Sequence, residues 1–112
     1  MSTIISSSHK IESTIGCIAQ AMKIIGNKWT ALILRDLFNG PQRFCQLEKS
    51  IPEINPRILS QRLDQLELEG IIKKSFINQT NNRNEYTLTQ KGYDLLPILR
   101  QMAIWGKNYT NS

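Results

Sequence analysis

The sequence is poor in the residues that build metal sites and catalytic sites. Its 112 residues include one histidine, His9, and two cysteines, Cys17 and Cys45. The two cysteines are too few for a disulfide scaffold and lack the spacing of metal ligands. A recognisable Ser/His/Asp arrangement and a glycine-rich phosphate loop are also missing. These absences argue against an enzyme, and we expect neither a metal ion nor another cofactor.

Long apolar runs are missing as well. No stretch of the sequence approaches the roughly 20 apolar residues that a membrane-spanning helix needs. The first residues lack the charged and apolar regions of a secretory signal. We therefore predict a cytoplasmic protein whose two thiols are reduced at rest.

The chain carries an excess of positive charge. Its 14 Lys and Arg residues against 9 Asp and Glu residues give a formal net charge of +5. This balance favours an anionic partner, with nucleic acid first among the candidates, although the charges are dispersed along the chain. The hydrophobic share of 40% is enough for one core. Because so short a chain buries a modest fraction of its surface, pairing with a second copy would stabilise it.

The order of the predicted elements is typical of a winged helix-turn-helix, a mainly α fold with a small β-hairpin wing. Residues 1–12 are rich in serine and lack periodicity, which predicts a disordered leader before a single domain over 13–112. Thr89 is predicted to cap the last helical region, which Pro97 kinks or divides. The predicted elements are helices over about 13–26, 28–38, 43–51 and 55–70, extended segments over 71–77 and 84–88, and a helical region from 90 onward.

The helix over about 55–70 has the clearest start and stop signals. Asn55 is a favoured N-cap, Pro56 is a favoured first helical residue, and Gly70 suits the left-handed position after a helix end. Apolar residues at helical spacing predict the side that faces the core; they are Ile58, Leu59, Leu63 and Leu66.

The opposite side of this helix carries Arg57, Ser60, Gln61 and Asp64. A polar helix side ordinarily faces water alone. Here the residue types are those that contact base edges and phosphates, and a short helix and a hairpin flank the helix. We predict that Arg57 and Gln61 make bidentate contacts in the major groove and that Ser60 makes a single one. Asp64 either orients Arg57, accepts a hydrogen bond from a cytosine amino group, or has only a surface role.

Further basic and polar residues are predicted to contact the DNA around this helix. Arg43, Lys74 and Arg83 are candidates for phosphate contacts, and Arg83 could instead enter the minor groove. Asn82 lies at the tip of the predicted wing over about 71–88. A winged helix that binds only other proteins is the alternative, and such domains commonly carry acidic or apolar residues where this chain has Arg57, Gln61 and Arg83.

Several segments of the sequence resemble one known family. They are CIAQAMKIIGNKWTALILRDL at 17–37, GPQRFCQL at 40–47, INPRILSQRLDQLELEGII at 54–72, RNEYTLTQKG at 83–92 and LLPIL at 95–99, followed by Trp105 and Gly106. In these segments, which span nearly all of 17–107, the chain resembles the HxlR-type winged helix-turn-helix transcriptional regulators. The sequence departs from the family at Asn84, where an apolar residue is more common.

The resemblance implies a homodimeric bacterial or archaeal regulator that binds a pseudo-palindromic operator. In this family the first and last helices usually build the dimer. The resemblance therefore makes interface candidates of apolar residues on those two helices, which are Ile18, Met22, Leu99, Met102 and Trp105.

Some members of the family sense oxidants, quinones or aldehydes through a cysteine at the position of Cys17. A cysteine near the start of the first helix, as predicted here, would have its thiolate favoured by the helix dipole. The alternative for Cys17 is a small buried hydrophobe. Cys45 is predicted to pack on the short helix, with a disulfide across the dimer as its alternative.

Overall fold

The structure, a computed structural model, describes the backbone of residues 8–78 and 83–110 and the side chains of 14–76 and 84–110. Within these residues the chain forms six helices and two strands. They are α1 Ser8–Ile25, α2 Lys28–Phe38, α3 Phe44–Ser50, α4 Pro56–Leu68, β1 Ile72–Asn78, β2 Arg83–Leu88, α5 Gln90–Tyr93 and α6 Leu96–Tyr109.

The first helix is longer than the sequence predicts. α1 begins at Ser8, whereas its apolar periodicity predicts a start near residue 13. Residues 8–12 are therefore helical, whereas the sequence predicts them as the end of a disordered leader. The earlier part of that predicted leader lies outside the described residues.

The second helix is the centre of the molecule, as its nearly continuous apolar sequence predicts. Ile33, Leu34 and Leu37 on α2 are fully buried. The helix starts where Asn27 caps it, since the Asn27 side chain accepts hydrogen bonds from the backbone N–H groups of Trp29 at 2.8 Å and Thr30 at 3.3 Å. Its bounds agree with the predicted range of 28–38.

In the core, α2 packs against one apolar side of α3, one of α4 and one of the hairpin. Burial of this apolar surface is the main term that holds α4 in place. The core residues outside α2 are Leu47, Ile51, Ile54, Leu59, Leu63, Leu66, Ile71, Ile72, Tyr86 and Leu88.

The wing is an antiparallel hairpin that a bridge joins to the segment before α3. Ile72 pairs with Leu88 and Lys74 pairs with Tyr86, and a register irregularity lies between Phe76 and Asn78. Gln42 exchanges backbone hydrogen bonds with Tyr86, at 3.0 Å and 2.8 Å. This bridge fixes the wing relative to the start of α3.

The last helical region is divided in two, which is one of the two predicted effects of Pro97. α5 ends at Tyr93, and α6 begins one residue before Pro97, where proline is tolerated. The Thr89 side chain accepts a hydrogen bond from the backbone N–H of Gly92 at 3.2 Å, so the predicted cap is confirmed.

Both terminal helices project apolar side chains into solvent. Residues 14–20 of α1 are all exposed, and α6 has no buried residue. Among the described residues, no helix has both the length and the apolar character to cross a membrane.

Candidate nucleic-acid interface

The start of α4 has the geometry that its sequence predicts. The Asn55 side chain accepts a hydrogen bond from the backbone N–H of Arg57 at 2.7 Å, and Pro56 is the first helical residue. At the other end Gly70 has φ +75°, a left-handed conformation that glycine adopts without steric cost. The backbone of α4 is therefore fixed at both ends by local residues.

The two sides of α4 differ in burial as predicted. Leu59, Leu63 and Leu66 are buried, and Ile58 is half-buried against the core. The side chains of Arg57, Ser60, Gln61 and Asp64 on the opposite side are all exposed. The helix thus presents its polar N-terminal side to solvent.

Leu68 lies on this same side of α4, at the end far from Arg57. Its exposure of 89% makes it the most exposed of the large apolar residues described. Leu68 is not among the residues predicted for this side, although its spacing of four and seven residues from Asp64 and Gln61 indicates the polar side.

Arg43 lies directly before α3, in the turn that follows the bridge to the wing. Its backbone N–H donates a hydrogen bond to the Gln46 side chain at 2.7 Å. This contact satisfies one free N–H at the start of α3. The Arg43 side chain is half-buried, so part of it remains accessible to solvent.

The wing positions Lys74 beside the polar side of α4. The Lys74 side chain is exposed, and its Nζ atom lies 6.0 Å from the centre of the Tyr86 ring. Burial raises the pKa of Tyr86, and the nearby carboxylates of Asp64 and Glu67 raise it further. Direct contacts between β1 and α4 agree with this, so the hairpin lies against α4.

The tip of the wing is only partly described. Asn82 lies outside the described residues, and so does the side chain of Arg83, whose backbone pairs with Asn78 as the first residue of β2. The contacts predicted for these two residues stay predictions.

Asn84 and Phe76 form an unusual pair on the wing. They are cross-strand partners, and the Asn84 Oδ1 atom is buried without a hydrogen-bond partner in the described structure. Phe76 is 62% exposed. An amide therefore occupies the position where the resembled family more often has an apolar residue, and the apolar ring opposite it lies largely in solvent.

Cys17 does not have the position that the sequence predicts. Because α1 begins at Ser8, Cys17 is the tenth residue of an 18-residue helix, and the argument from the helix start is wrong. The dipole effect is confined to the first turn of a helix. The side chain is exposed, so the alternative of a small buried hydrophobe is wrong as well.

The packing role predicted for Cys45 is also wrong, because its side chain is exposed on α3. The spacing of Phe44 and Leu47 on this short helix, and of Ile51 directly after it, defines its core side, and Cys45 lies off that side. Across the described residues, no cluster of three or more His, Cys, Asp or Glu side chains could hold a metal ion.

Four of the five predicted dimer contacts are exposed in the single chain. Ile18, Met22, Met102 and Trp105 have exposures between 45% and 62%. Leu99 is half-buried and packs against the core of its own chain. The ring of Trp105 contacts that of Tyr109, which is also exposed, at 5.3 Å between centroids.

Similarity to known proteins agrees with this architecture. The model of the family described as HxlR-like helix-turn-helix matches residues 24–112. The HTH-type transcriptional regulator YvaP of Bacillus subtilis is 43% identical over 90 residues, which cover 80% of this chain and 83% of YvaP.

Two redox-related structures have the same fold. The reduced form of the transcriptional regulator YodB from B. subtilis is 31% identical, with a TM-score of 0.76 over 83% of this chain and 91% of that one. The oxidised form of the redox regulator HypR is 30% identical, with a TM-score of 0.77 over 85% of this chain and 98% of HypR. YodB has also been solved after diamide treatment and with a bound quinone. The chain belongs to the HxlR-like family of helix-turn-helix transcriptional regulators.

Proposed function

We propose that this regulator binds a pseudo-palindromic operator as a homodimer in the cytoplasm, with α4 of each copy in the major groove. The observation that carries the proposal is the exposed polar side of α4, whose other side is anchored in the core. Specific contacts need side chains held on a rigid element, and the caps at both ends of α4 supply that rigidity.

The contacts to bases come from the first turns of α4. Arg57 donates two hydrogen bonds to a guanine, Gln61 contacts an adenine in bidentate fashion, and Ser60 makes a single bond. These residues are close to the helix N-terminus, which is the end that helix-turn-helix proteins direct at base edges.

The remaining contacts set the position of the protein on the duplex. Arg43 precedes α4 in the sequence and Lys74 follows it, and both side chains neutralise phosphates. Arg83 and Asn82 act from the wing, on the backbone or in the minor groove. Because phosphate contacts release counterions, binding falls steeply as salt rises.

The homodimer rests on the unpaired apolar side chains of the two terminal helices. Ile18 and Met22 on α1 and Met102 and Trp105 on α6 are exposed, and contiguous exposed apolar surface commonly marks an interface. A two-fold axis would cover both helices at once, since each surface meets its own copy. The two α4 helices would then face half-sites about one DNA turn apart.

Trp105→Glu is expected to convert the dimer into monomers, because a carboxylate cannot be buried in an apolar interface without a partner. Sedimentation velocity at micromolar concentrations measures this. Ile104→Glu is the matched control, since Ile104 is also exposed but lies on another side of α6. A dimer that survives Trp105→Glu, or that Ile104→Glu disrupts equally, would contradict this interface.

A gel-shift titration over a range of salt concentrations tests the function itself. The probe is the DNA upstream of the regulator's own gene, and a shuffled duplex of equal composition is the control. Specific retention that falls steeply with salt supports the regulator. Absence of retention at low salt supports the alternative, a winged helix that contacts only proteins.

We also propose that Cys17 makes this binding responsive to electrophiles. The thiol is exposed on α1, one of the two proposed dimer helices, and a relative has been solved with a bound quinone. The Cys17 thiolate adds to a ring carbon of the quinone, so that a C–S bond forms and the reduced ring takes up a proton on oxygen. The added ring alters the packing of α1 and with it the spacing of the two α4 helices.

Cys17→Ser is expected to bind the operator like the wild type and to keep that binding after treatment with benzoquinone. Cys45→Ser is the matched control, because it removes the other exposed thiol and should lose binding as the wild type does. Mass spectrometry of the treated protein locates the adduct. A Cys17→Ser protein that still responds would assign the response to another residue.

A further inference from the structure

Phe76 and Asn84 are the last cross-strand pair of the wing before its register becomes irregular. They lie on the same face of the hairpin as the pair of Lys74 and Tyr86, because side chains alternate along a strand and partners share a face. Ile72 is buried, and Phe76 lies four residues further along β1, or about 13 Å. The pair therefore stands beyond the core, where the 62% exposed ring of Phe76 can reach an external partner.

Asn84 is a poor partner for this ring if the wing has only a structural role. Its Oδ1 atom is buried without a hydrogen-bond partner, and an unpaired buried acceptor lowers stability. An apolar β-branched residue would avoid this loss and would pack on the Phe76 ring. Departures from such local rules are expected at functional sites. With its oxygen enclosed, Asn84 has its Nδ2 group as the donor for a ligand.

The surroundings of the pair favour a polyanion as that partner. Lys73 and Lys74 are both exposed and precede Phe76 on β1 by three and two residues. Direct contacts join β1 to α4, so the wing stands next to the helix proposed to enter the major groove. The minor groove adjoins the major groove on every duplex. A duplex bound by α4 therefore brings its minor groove towards the wing.

We infer that Phe76 and Asn84 together make a minor-groove contact that favours A·T base pairs beside each half-site. The inference rests on the proposed function, because it needs α4 in the adjoining major groove. Apolar rings and amide side chains are groups with which proteins enter the minor groove. The Phe76 ring packs against the deoxyribose walls, and the Asn84 Nδ2 group donates to adenine N3 or thymine O2. At a G·C pair the guanine amino group, itself a donor, opposes the amide.

Fluorescence anisotropy with two duplexes of one sequence tests the inference, with guanine in the first and inosine in the second. Inosine lacks the minor-groove amino group of guanine and keeps its major-groove acceptors. At low salt, where binding requires no operator, the wild type should bind the inosine duplex about threefold more tightly or better. Asn84→Val should bind the two duplexes alike. It should also melt at a higher temperature than the wild type, because the unpaired buried oxygen is removed.

Phe76→Ala should weaken binding of both duplexes by a similar factor of about three or more, because the contact with the sugars is lost. Ser75→Ala is the matched control, since Ser75 is exposed on the opposite face of β1, and it should bind like the wild type.

The inference is overturned if the wild type binds the two duplexes alike, or if Asn84→Val keeps the preference for inosine. It is also overturned if Phe76→Ala binds like Ser75→Ala, or if Phe76→Ala sediments as a smaller species, which would assign the ring to a contact between copies. A wild type that binds neither duplex at low salt contradicts the proposed function itself. The two failures are therefore distinct.

Discussion

Arg57→Ala is expected to weaken specific operator binding by about 1–3 kcal/mol and to relax specificity at one base pair. The side chain is exposed at the first turn of α4, where only its backbone N–H takes part in the cap with Asn55. Removing the guanidinium therefore deletes the proposed base contact and leaves the helix start intact.

A salt-matched titration of operator and shuffled DNA measures this loss. Lys107→Ala is the control, because it removes one exposed positive charge far along the chain from α4. Affinity for shuffled DNA should change little more in Arg57→Ala than in the control. If Arg57→Ala kept the operator affinity of the wild type, Arg57 would be removed from the base-reading residues.

Leu59→Ala is expected to destabilise the folded protein by about 2–5 kcal/mol, because it opens a cavity beneath the same helix. Leu59 is fully buried between α4 and the core. In a chain of 112 residues, a loss of this size is a large share of the free energy of unfolding.

Leu68→Ala is the matched control on α4, since Leu68 is 89% exposed. Its effect should stay within about 0.5 kcal/mol, which is typical of surface substitutions. Urea unfolding gives both values, provided that the protein concentration is the same for each variant, because dimerisation adds to apparent stability. Equal effects of the two substitutions would contradict the position of α4 against the core.

The elements that the sequence predicted best are those that local chemistry determines. The Asn27 and Asn55 caps, the proline after Asn55 and the left-handed Gly70 all act within a few residues of the chain. The position of α2 was predictable because its apolar residues leave little polar surface to expose.

The features that the sequence did not predict depend on contacts between distant segments or on helix length. Apolar spacing after residue 13 gave no reason to extend α1 back to Ser8, since the preceding residues are polar. The exposure of Cys17 and Cys45 depends on which sides of α1 and α3 meet the rest of the chain.

The far end of α4 is joined to the segment that leads into the last helix. The Thr89 hydroxyl donates a hydrogen bond to the Gly70 carbonyl at 2.5 Å, and the Lys91 ammonium donates one to the Glu69 carbonyl at 2.6 Å. A rotation of the C-terminal helices would therefore be passed to α4 through main-chain oxygen atoms. In the proposed dimer this gives an event at the subunit boundary a short route to the DNA.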